Sequence, residues 1–195
     1  ETKKTSLYQL HQDSNAKFVE FAGYQMPIQY SEGIVEEHKF TRNHSGIFDV
    51  SHMGEFFCSG THALELLQRI TSNDVSKLNV GEAQYSCMPN QKGGIVDDLI
   101  VYRTKELTYL LVVNAANIEK DWEWIQSHNI HNATLENASE SLSLLAVQGP
   151  KAIQVVQQLT DIDLSNIAYY TFQTGSVAGV ENVMISATGY TGSGG

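Results

Sequence analysis

Residues 93–102 read GGIVDDLIVY, two glycines followed by an apolar run that contains two adjacent carboxylates. The glycines indicate a turn, and the apolar run is typical of a β-strand. Because successive residues of a strand point to opposite faces of a sheet, Asp97 and Asp98 lie on different faces. A carboxylate that faces inward among apolar neighbours is costly unless another group pairs with it. The stretch therefore predicts a strand with one solvated carboxylate and one paired carboxylate.

A hairpin is predicted around this strand. Residues 99–103 and 109–113 are both strand-like, and only a short polar segment separates them, which favours antiparallel pairing. Further strands are predicted at residues 55–58, 85–88, 143–147 and 183–186. Strands that alternate irregularly with helices, with an antiparallel pair among them, indicate an α+β fold with mixed or antiparallel sheets and packed helices. This pattern argues against a doubly wound parallel sheet.

Helices are predicted where a capping residue precedes apolar residues at helical spacing. Four such segments begin near Ser31, Thr61, Asn117 and Pro150. In the third, which runs to about residue 127, the spacing predicts that Trp122 is buried. Trp124 lies two positions further on and therefore on a different face, so we expect it to be more exposed.

Composition narrows the class of protein. The chain has 195 residues and a formal net charge of −10 at pH 7, which disfavours nucleic acid and anionic membranes as partners. It has no run of about 18 apolar residues that would span a membrane, and its first residues, ETKK, lack the apolar core of a signal peptide. Cys58 and Cys87 show no CxxC spacing, and no histidine pair stands at ligand spacing. We expect reduced thiols, no metal site and a cytoplasmic location.

Five short motifs occur in a fixed order along the chain. They are FDVSHMGE at 48–55, YSCM at 85–88, GGIVDD at 93–98, VNAAN at 113–117 and TGYTG at 188–192. In this order and spacing they resemble the aminomethyltransferase (T-protein) family of the glycine cleavage system. Each motif alone is weak, whereas the ordered set is specific, and the resemblance extends from Thr5 to the end of the chain.

The resemblance implies a transferase of one-carbon metabolism and glycine catabolism. Such an enzyme moves a one-carbon unit from an aminomethyl group, carried on the lipoyl-lysine arm of the H-protein, to tetrahydrofolate, and ammonia is released. Tetrahydrofolate is then a co-substrate and no metal is needed. A fixed carboxylate would stabilise the positive charge that develops near the reduced ring of the folate. The location would be the cytoplasm of a bacterium, or the mitochondrial matrix in a eukaryote.

The resemblance also implies site residues. It gives Asp98 the position of the family's catalytic aspartate, and it implies folate contacts for Met53, Tyr85, Asp98, Ile100, Tyr102, Asn114, Tyr169 and Tyr190. Strand alternation independently places Asp98 on the face of Ile100 and Tyr102, and leaves Asp97 to a backbone amide or to solvent. The amide of Asn114 can donate and accept, as the edge of a pterin requires. An alternative role for Asn114 is to cap the helix that follows.

The domain organisation that the resemblance implies is discontinuous. Residues 1–51 and 141–195 would form a first domain, residues 52–140 a second, and a third would be absent. Residues 129–140 are polar and form a candidate boundary. In the family the tyrosine-glycine motif continues into a Phe-Glu pair that binds the pterin, and this chain ends before that pair. We therefore expect about half of a parent protein, inactive as a transferase by itself.

Departures from the family pattern and two alternative functions accompany this interpretation. Ala187 and Ser193-Gly194 stand where most relatives have Arg and Glu-Asp. A non-catalytic folate-binding protein of the same fold would carry a reactive cysteine in a Lys-Gly-Cys-Tyr type motif, and neither Cys58 nor Cys87 lies in one. The folate domain of a dimethylglycine- or sarcosine-oxidising enzyme would accompany a Gly-x-Gly-x-x-Gly module, which the chain lacks. The aminomethyltransferase interpretation is therefore favoured.

Overall fold

The computed structural model describes residues 2–195 as short helices and antiparallel strands. The helices are α1 (Tyr8–Asp13), α2 (Ile34–Asn43), α3 (Ala63–Ile70), α4 (Ile118–His128) and α5 (Ala152–Gln157). The strands are β1 (Lys17–Phe21), β2 (Tyr24–Gln29), β3 (Gly46–Asp49), β4 (Gly54–Ser59), β5 (Ala83–Pro89), β6 (Ile95–Lys105), β7 (Thr108–Val113), β8 (Thr134–Asn137), β9 (Leu145–Gln148), β10 (Phe172–Val177) and β11 (Val180–Ser186). The predicted α+β class is confirmed. None of the described helices is long and apolar enough to cross a membrane.

Contacts divide the chain into two units. Unit 1 comprises Glu1–His52 and Ser143–Gly195, and unit 2 comprises Met53–Leu142. The pairing of β3 with β9 explains why unit 1 is discontinuous, because it joins the segments that precede and follow unit 2. Asp49 lies opposite Leu145 in this pair. The chain therefore leaves unit 1 and returns to it at neighbouring strand ends.

Unit 2 is built on a five-stranded antiparallel sheet in the order β5-β6-β7-β4-β8. One face packs against α3 and α4, and the buried apolar residues of this core include Phe56, Leu67, Leu99, Val101, Leu111, Val113 and Ile125. Helix α3 contributes through Ala63, Leu66, Leu67 and Ile70, which recur at helical spacing and form one stripe. The sheet is therefore covered by helices on one face, and its other face carries a different set of side chains.

Unit 1 contains three two-stranded sheets, formed by β1 with β2, β3 with β9, and β10 with β11. A buried carboxylate ties several of its segments together. Asp49, whose side chain is 1% exposed, accepts from the Thr5 hydroxyl at 2.6 Å and lies 2.9 Å from His11 Nε2. The Tyr30 hydroxyl lies 2.8 Å from the other ring nitrogen of His11. Burial alone would raise the pKa of Asp49, but hydrogen bonds from Thr5, His11 and Ser51 hold it below 3.8.

Helix α4 corrects one expectation from the sequence. Its fully buried side chains are Asp121 and Ile125, and both tryptophans are partly buried against the core. The prediction that Trp122 is buried is therefore wrong, and Trp124 is partly buried as well. At 100° per residue the two indoles lie on either side of the line through Asp121 and Ile125, so each reaches the edge of the core. The pattern missed this because a carboxylate occupies the centre of the buried stripe.

Gly149, which follows β9, provides a test of the packing in unit 1. Its φ is +117°, and a Cβ atom there would lie 2.5 Å from the Thr41 carbonyl oxygen and 2.6 Å from that of His44. Gly149→Ala should therefore lower the free energy of unfolding by well over the roughly 1–2 kcal/mol of left-handed strain alone, because backbone atoms must move. Urea unfolding of the chain measures this loss.

Gly179→Ala is the matched control. Gly179 also has a positive φ, +80°, but a Cβ there meets nothing within 4 Å. This variant should lose only the left-handed strain, about 1–2 kcal/mol. Equal losses in the two variants would show that the chain around Gly149 accommodates a side chain, contrary to the described packing.

Candidate functional site

Strand β6 separates the two adjacent aspartates, as the sequence predicts. Asp98 shares its face with Ile100 and Tyr102, and the register places Tyr85 of β5 opposite Ile100. Asp97 points to the face that packs against the helices, where Leu99 and Val101 belong to the core. Of the two surroundings predicted for Asp97, solvent is excluded because the residue is only 9% exposed, whereas a backbone amide, that of Asp98, does hydrogen-bond to it.

The Asp98 carboxylate is held by two neutral donors. The Tyr85 hydroxyl donates to one oxygen, and Nδ2 of Asn114 donates to the other at 2.6 Å. Asn114 directly follows β7, where the pairing of Leu99 with Val113 places it opposite Asp98. A carboxylate offers about four lone-pair sites, so Asp98 keeps acceptor capacity for a ligand. The arrangement presents a fixed negative charge beside apolar side chains, which can accept N–H hydrogen bonds or stabilise a nearby cation.

Asn114 also connects the two faces of β6. Its Nδ2 lies 2.9 Å from Asp97 Oδ1, so the two hydrogens of the amide serve one aspartate each. Its alternative role as a helix cap is not seen, since no side-chain capping bond forms at the short 3-10 helix that begins with Ala115. Asn117 occupies the N-cap position of α4 but likewise does not cap it with its side chain, which lies near Asp97.

A second buried acid lies under Asp97. Asp121 of α4 is 0% exposed, and its carboxyl lies close enough to that of Asp97 for the two to interact. No other N–H or hydroxyl group of the described residues reaches its oxygens. Burial first, and then the Asp97 carboxylate, raise the pKa of Asp121 to about 8. Burial alone would also raise the pKa of Asp97, but hydrogen bonds from Asp121, Asn114 and Asn117 hold it below 3.8. These opposite shifts of the two pKa values favour a single proton on the pair at neutral pH, carried by Asp121.

The remaining predicted site residues are distributed over both units. Tyr85 is 50% exposed, Tyr102 is buried, and Ile100 is partly buried on the Asp98 face. Met53 is partly buried directly before β4. Tyr169 and Tyr190 are exposed residues of unit 1, and their part in the site stays a prediction. Among residues 2–195, no group of three or more His, Cys, Asp or Glu side chains could hold a metal ion.

Sequence reasoning missed two buried acids, Asp121 and Glu55. Glu55 of β4 is 3% exposed, its carboxylate oxygens have no hydrogen-bond partner among the described residues, and burial raises its pKa to about 8. The signal for Asp121 was its helical spacing, since it lies three residues after Ile118 and four before Ile125. For Glu55 the signal was a lone charge in the apolar run of β4.

Comparison with known proteins places these motifs in context. Residues 7–195 match the family model described as GCVT N-terminal domain. The chain is 59% identical to an aminomethyltransferase of Flavobacterium psychrophilum and 60% identical to one of Bacteroides thetaiotaomicron, over 99% of this chain and 53% of each relative. The chain thus spans about half the length of the curated relatives it matches.

Two solved structures are similar in fold. The glycine cleavage system aminomethyltransferase T of Bartonella henselae superposes with a TM-score of 0.86 at 32% identity, over 100% of this chain and 52% of that one. The heterotetrameric sarcosine oxidase of Corynebacterium sp. U-96 superposes with a TM-score of 0.65 at 16% identity, over 97% of this chain and 83% of that one. At that identity the second likeness concerns the fold alone.

The proton on Asp121 makes stability depend on pH in a defined direction. The folded-state pKa of about 8 exceeds the ordinary value of 3.8, so unfolding releases this proton between the two values. The stability contributed by Asp121 is full below about pH 4 and is lost as the pH rises towards 8. Asp121→Asn keeps a donor for Asp97 and does not titrate. Between about pH 5 and pH 9, the free energy of unfolding of this variant relative to that of the wild type should therefore rise by a few kcal/mol. Urea unfolding measures this difference.

The matched control is Glu123→Gln, an exposed acid on the same helix. Its stability difference from the wild type should stay constant over the same pH range. If the difference between Asp121→Asn and the wild type were equally constant, Asp121 would be ionised in the folded protein and the shared proton would not exist.

Proposed function

Because the chain belongs to the GCVT N-terminal domain family, we propose that it forms the folate-facing part of an aminomethyltransferase of the glycine cleavage system. The substrates would be tetrahydrofolate and the aminomethyl group on the lipoyl arm of the H-protein, with ammonia as a product. The names of the relatives support this proposal, and so does the identity of about 60% to them. The observation that carries it is the Asp98 carboxylate, held by Tyr85 and Asn114 on one face of β6.

The donor and acceptor set around Asp98 fits a reduced pterin. Such a ring presents N–H donors at its edge, and Asp98 is an acceptor with lone pairs left after its two bonds. Ile100 lies on the same face and is partly exposed, so it would supply apolar surface for the flat ring, whereas Tyr102 of this face is only 5% exposed. Tetrahydrofolate would supply the nitrogen atoms that accept the one-carbon unit.

Asp98 would act by its charge and its fixed position. Transfer of the one-carbon unit develops positive charge beside the acceptor nitrogen, and a preorganised carboxylate stabilises such charge without reorienting. Tyr85 and Asn114 keep the carboxylate in one rotamer, so that it need not be reoriented during the reaction.

We also propose folate contacts for Met53, Tyr169 and Tyr190. The proposed domain borders are 51/52 and 140/141. The relatives are bacterial, and we propose a cytoplasmic location.

The two alternative functions receive no specific support. The likeness to sarcosine oxidase is one of fold at 16% identity, and it favours no particular activity. A non-catalytic folate-binding protein would use the same face of β6 but would not need a charged residue there. Substitution of Asp98 therefore distinguishes a transferase from a binding module.

Asp98→Asn tests the catalytic role, in a protein that carries this chain at the full length of its relatives. The amide keeps the size of the side chain and removes its charge, so kcat should fall by about 10²–10³-fold. The dissociation constant for tetrahydrofolate should change less, by about tenfold or below. Ammonia release from the aminomethylated carrier protein measures the first quantity, and titration calorimetry measures the second.

Glu106→Gln is the matched control, because Glu106 is an exposed acid in the turn between β6 and β7. It should leave kcat and folate affinity unchanged. An unchanged kcat in Asp98→Asn would remove Asp98 from the catalytic machinery. A wild-type protein that binds tetrahydrofolate but releases no ammonia would instead support the binding-module alternative.

A further inference from the structure

A buried acid pair lies beneath the proposed transfer site. Asp121 is 0% exposed and Asp97 is 9% exposed, so two carboxyls meet in the interior of unit 2. In the described part of the chain, no lysine, arginine or histidine forms an ion pair with either of them. The nearest cation along the helix, Lys120, donates to the Val96 carbonyl oxygen at 2.7 Å. Two buried anions without a cation would be prohibitively costly.

A proton is the countercharge that the geometry allows. The described residues contain no group that could hold a metal ion. Asp97 accepts a hydrogen bond from Asn114 at 2.9 Å, which favours its anionic form, whereas neither oxygen of Asp121 has a donor among the described residues. The proton therefore belongs on Asp121, which donates it to Asp97, as in other carboxyl pairs that cannot both ionise.

We propose that Asp97 and Asp121 are positioning residues of the transfer site, where the protonated pair fixes the Asn114 amide and, through it, the Asp98 carboxylate. The proposal rests on the proposed function for its catalytic consequence. One hydrogen of the Asn114 amide goes to Asp97 Oδ1 at 2.9 Å, which sets the plane of the amide. The other hydrogen then points to Asp98 Oδ1 at 2.6 Å. The acid pair thus acts on Asp98 across the sheet without touching a ligand.

This arrangement depends on which carboxyl carries the proton. Asp97 has to stay anionic to accept from Asn114, and Asp121 has to stay neutral to donate to Asp97. The charged groups that act on Asp121 are Asp97 and Asp98 of β6 and Lys120 of its own helix. When Asp121 ionises, two anions oppose each other and Asp97 is displaced from the amide. Loss of the proton from Asp121 would therefore disorder the Asp98 carboxylate.

The test compares Asp121→Leu and Asp121→Asn in the full-length protein. Leucine fills the space but removes the donor, so kcat at neutral pH should fall by about 10- to 100-fold through misplacement of Asp98. Asparagine is the conservative variant, because its amide can donate to Asp97. The kcat of Asp121→Asn should therefore be about tenfold higher than that of Asp121→Leu. The dissociation constant for tetrahydrofolate should stay within about threefold in both variants, because neither touches the ligand. Glu123→Gln is the control with unchanged kcat.

Two further readouts separate positioning from mere structural support. The wild type should lose kcat as the pH rises through about 8, and Asp121→Asn should not show this alkaline limb. Infrared difference spectra of the wild type against Asp121→Asn should show the C=O stretch of a protonated carboxyl at neutral pH, and this band should disappear at alkaline pH. Should Asp121→Leu fail to fold, the alkaline limb and the band still decide the proposal.

Each outcome has a defined meaning. An alkaline limb that is identical in the wild type and Asp121→Asn, an unchanged kcat in Asp121→Leu, or an absent carboxyl band in an active wild type overturns the positioning role alone. A wild type that shows the band but transfers nothing at any pH overturns the proposed function and, with it, the catalytic consequence of the pair. The proposal is supported if Asp121→Asn has a higher kcat than Asp121→Leu and its kcat does not decline at alkaline pH.

Discussion

The two-residue period of strand β6 is the constraint on which the site depends. It gives two adjacent aspartates opposite surroundings, with Asp98 beside the Tyr85 hydroxyl and Asp97 against the carboxyl of Asp121. Asn114 reaches both because it stands opposite Asp98 just beyond the end of β7, where the sheet no longer separates the two faces. A shift of one residue in this register would place the Asp98 carboxylate in the core.

The five-stranded sheet belongs to unit 2, which is inserted between the two segments of unit 1. The antiparallel pair of β3 with β9 brings both ends of unit 2 together, so the intervening residues form their own core around Phe56 and Leu111. Asp49, at the end of β3, is fixed by Thr5 and His11 from the first residues of the chain. The hydrogen bonds that hold this buried charge also fix the point from which the chain enters unit 2.

The sequence predicted the elements with recognisable apolar spacing, including the weakly buried α2, α5, β9 and β11, and missed several short elements. Strands β4 to β7 and helices α3 and α4 were anticipated because their apolar residues recur with period 2 or 3.6. The missed elements are α1, β1, β2, β3 and β10, which are four to six residues long and have mostly exposed or partly exposed side chains. Strand β8 lies in a polar stretch predicted as a boundary, since an edge strand with exposed side chains has no apolar alternation.

The sequence predicted the side chains on the Asp98 face of β6, but it did not predict the buried acid beneath the opposite face. Alternation alone gave Asp98 the face of Ile100 and Tyr102, and the structure has this arrangement. Asp121 has the helical spacing of a buried position, but spacing alone did not identify it, because an unpaired carboxylate is rarely buried. The reason for its burial is the nearby Asp97, which belongs to another element, β6. Local spacing along the helix does not reveal such a partner.

The choice of neutral donors around Asp98 has an electrostatic consequence. A lysine or arginine in place of Asn114 would hold the carboxylate equally well, but it would cancel the charge that a positively charged reacting group needs. The Tyr85 hydroxyl and the Asn114 amide orient Asp98 and leave its net charge in place. The same reasoning applies beneath the sheet, where a proton rather than a cation neutralises the Asp97 and Asp121 pair. No positive side chain is then introduced close to Asp98, and the negative potential at the site remains available to a ligand.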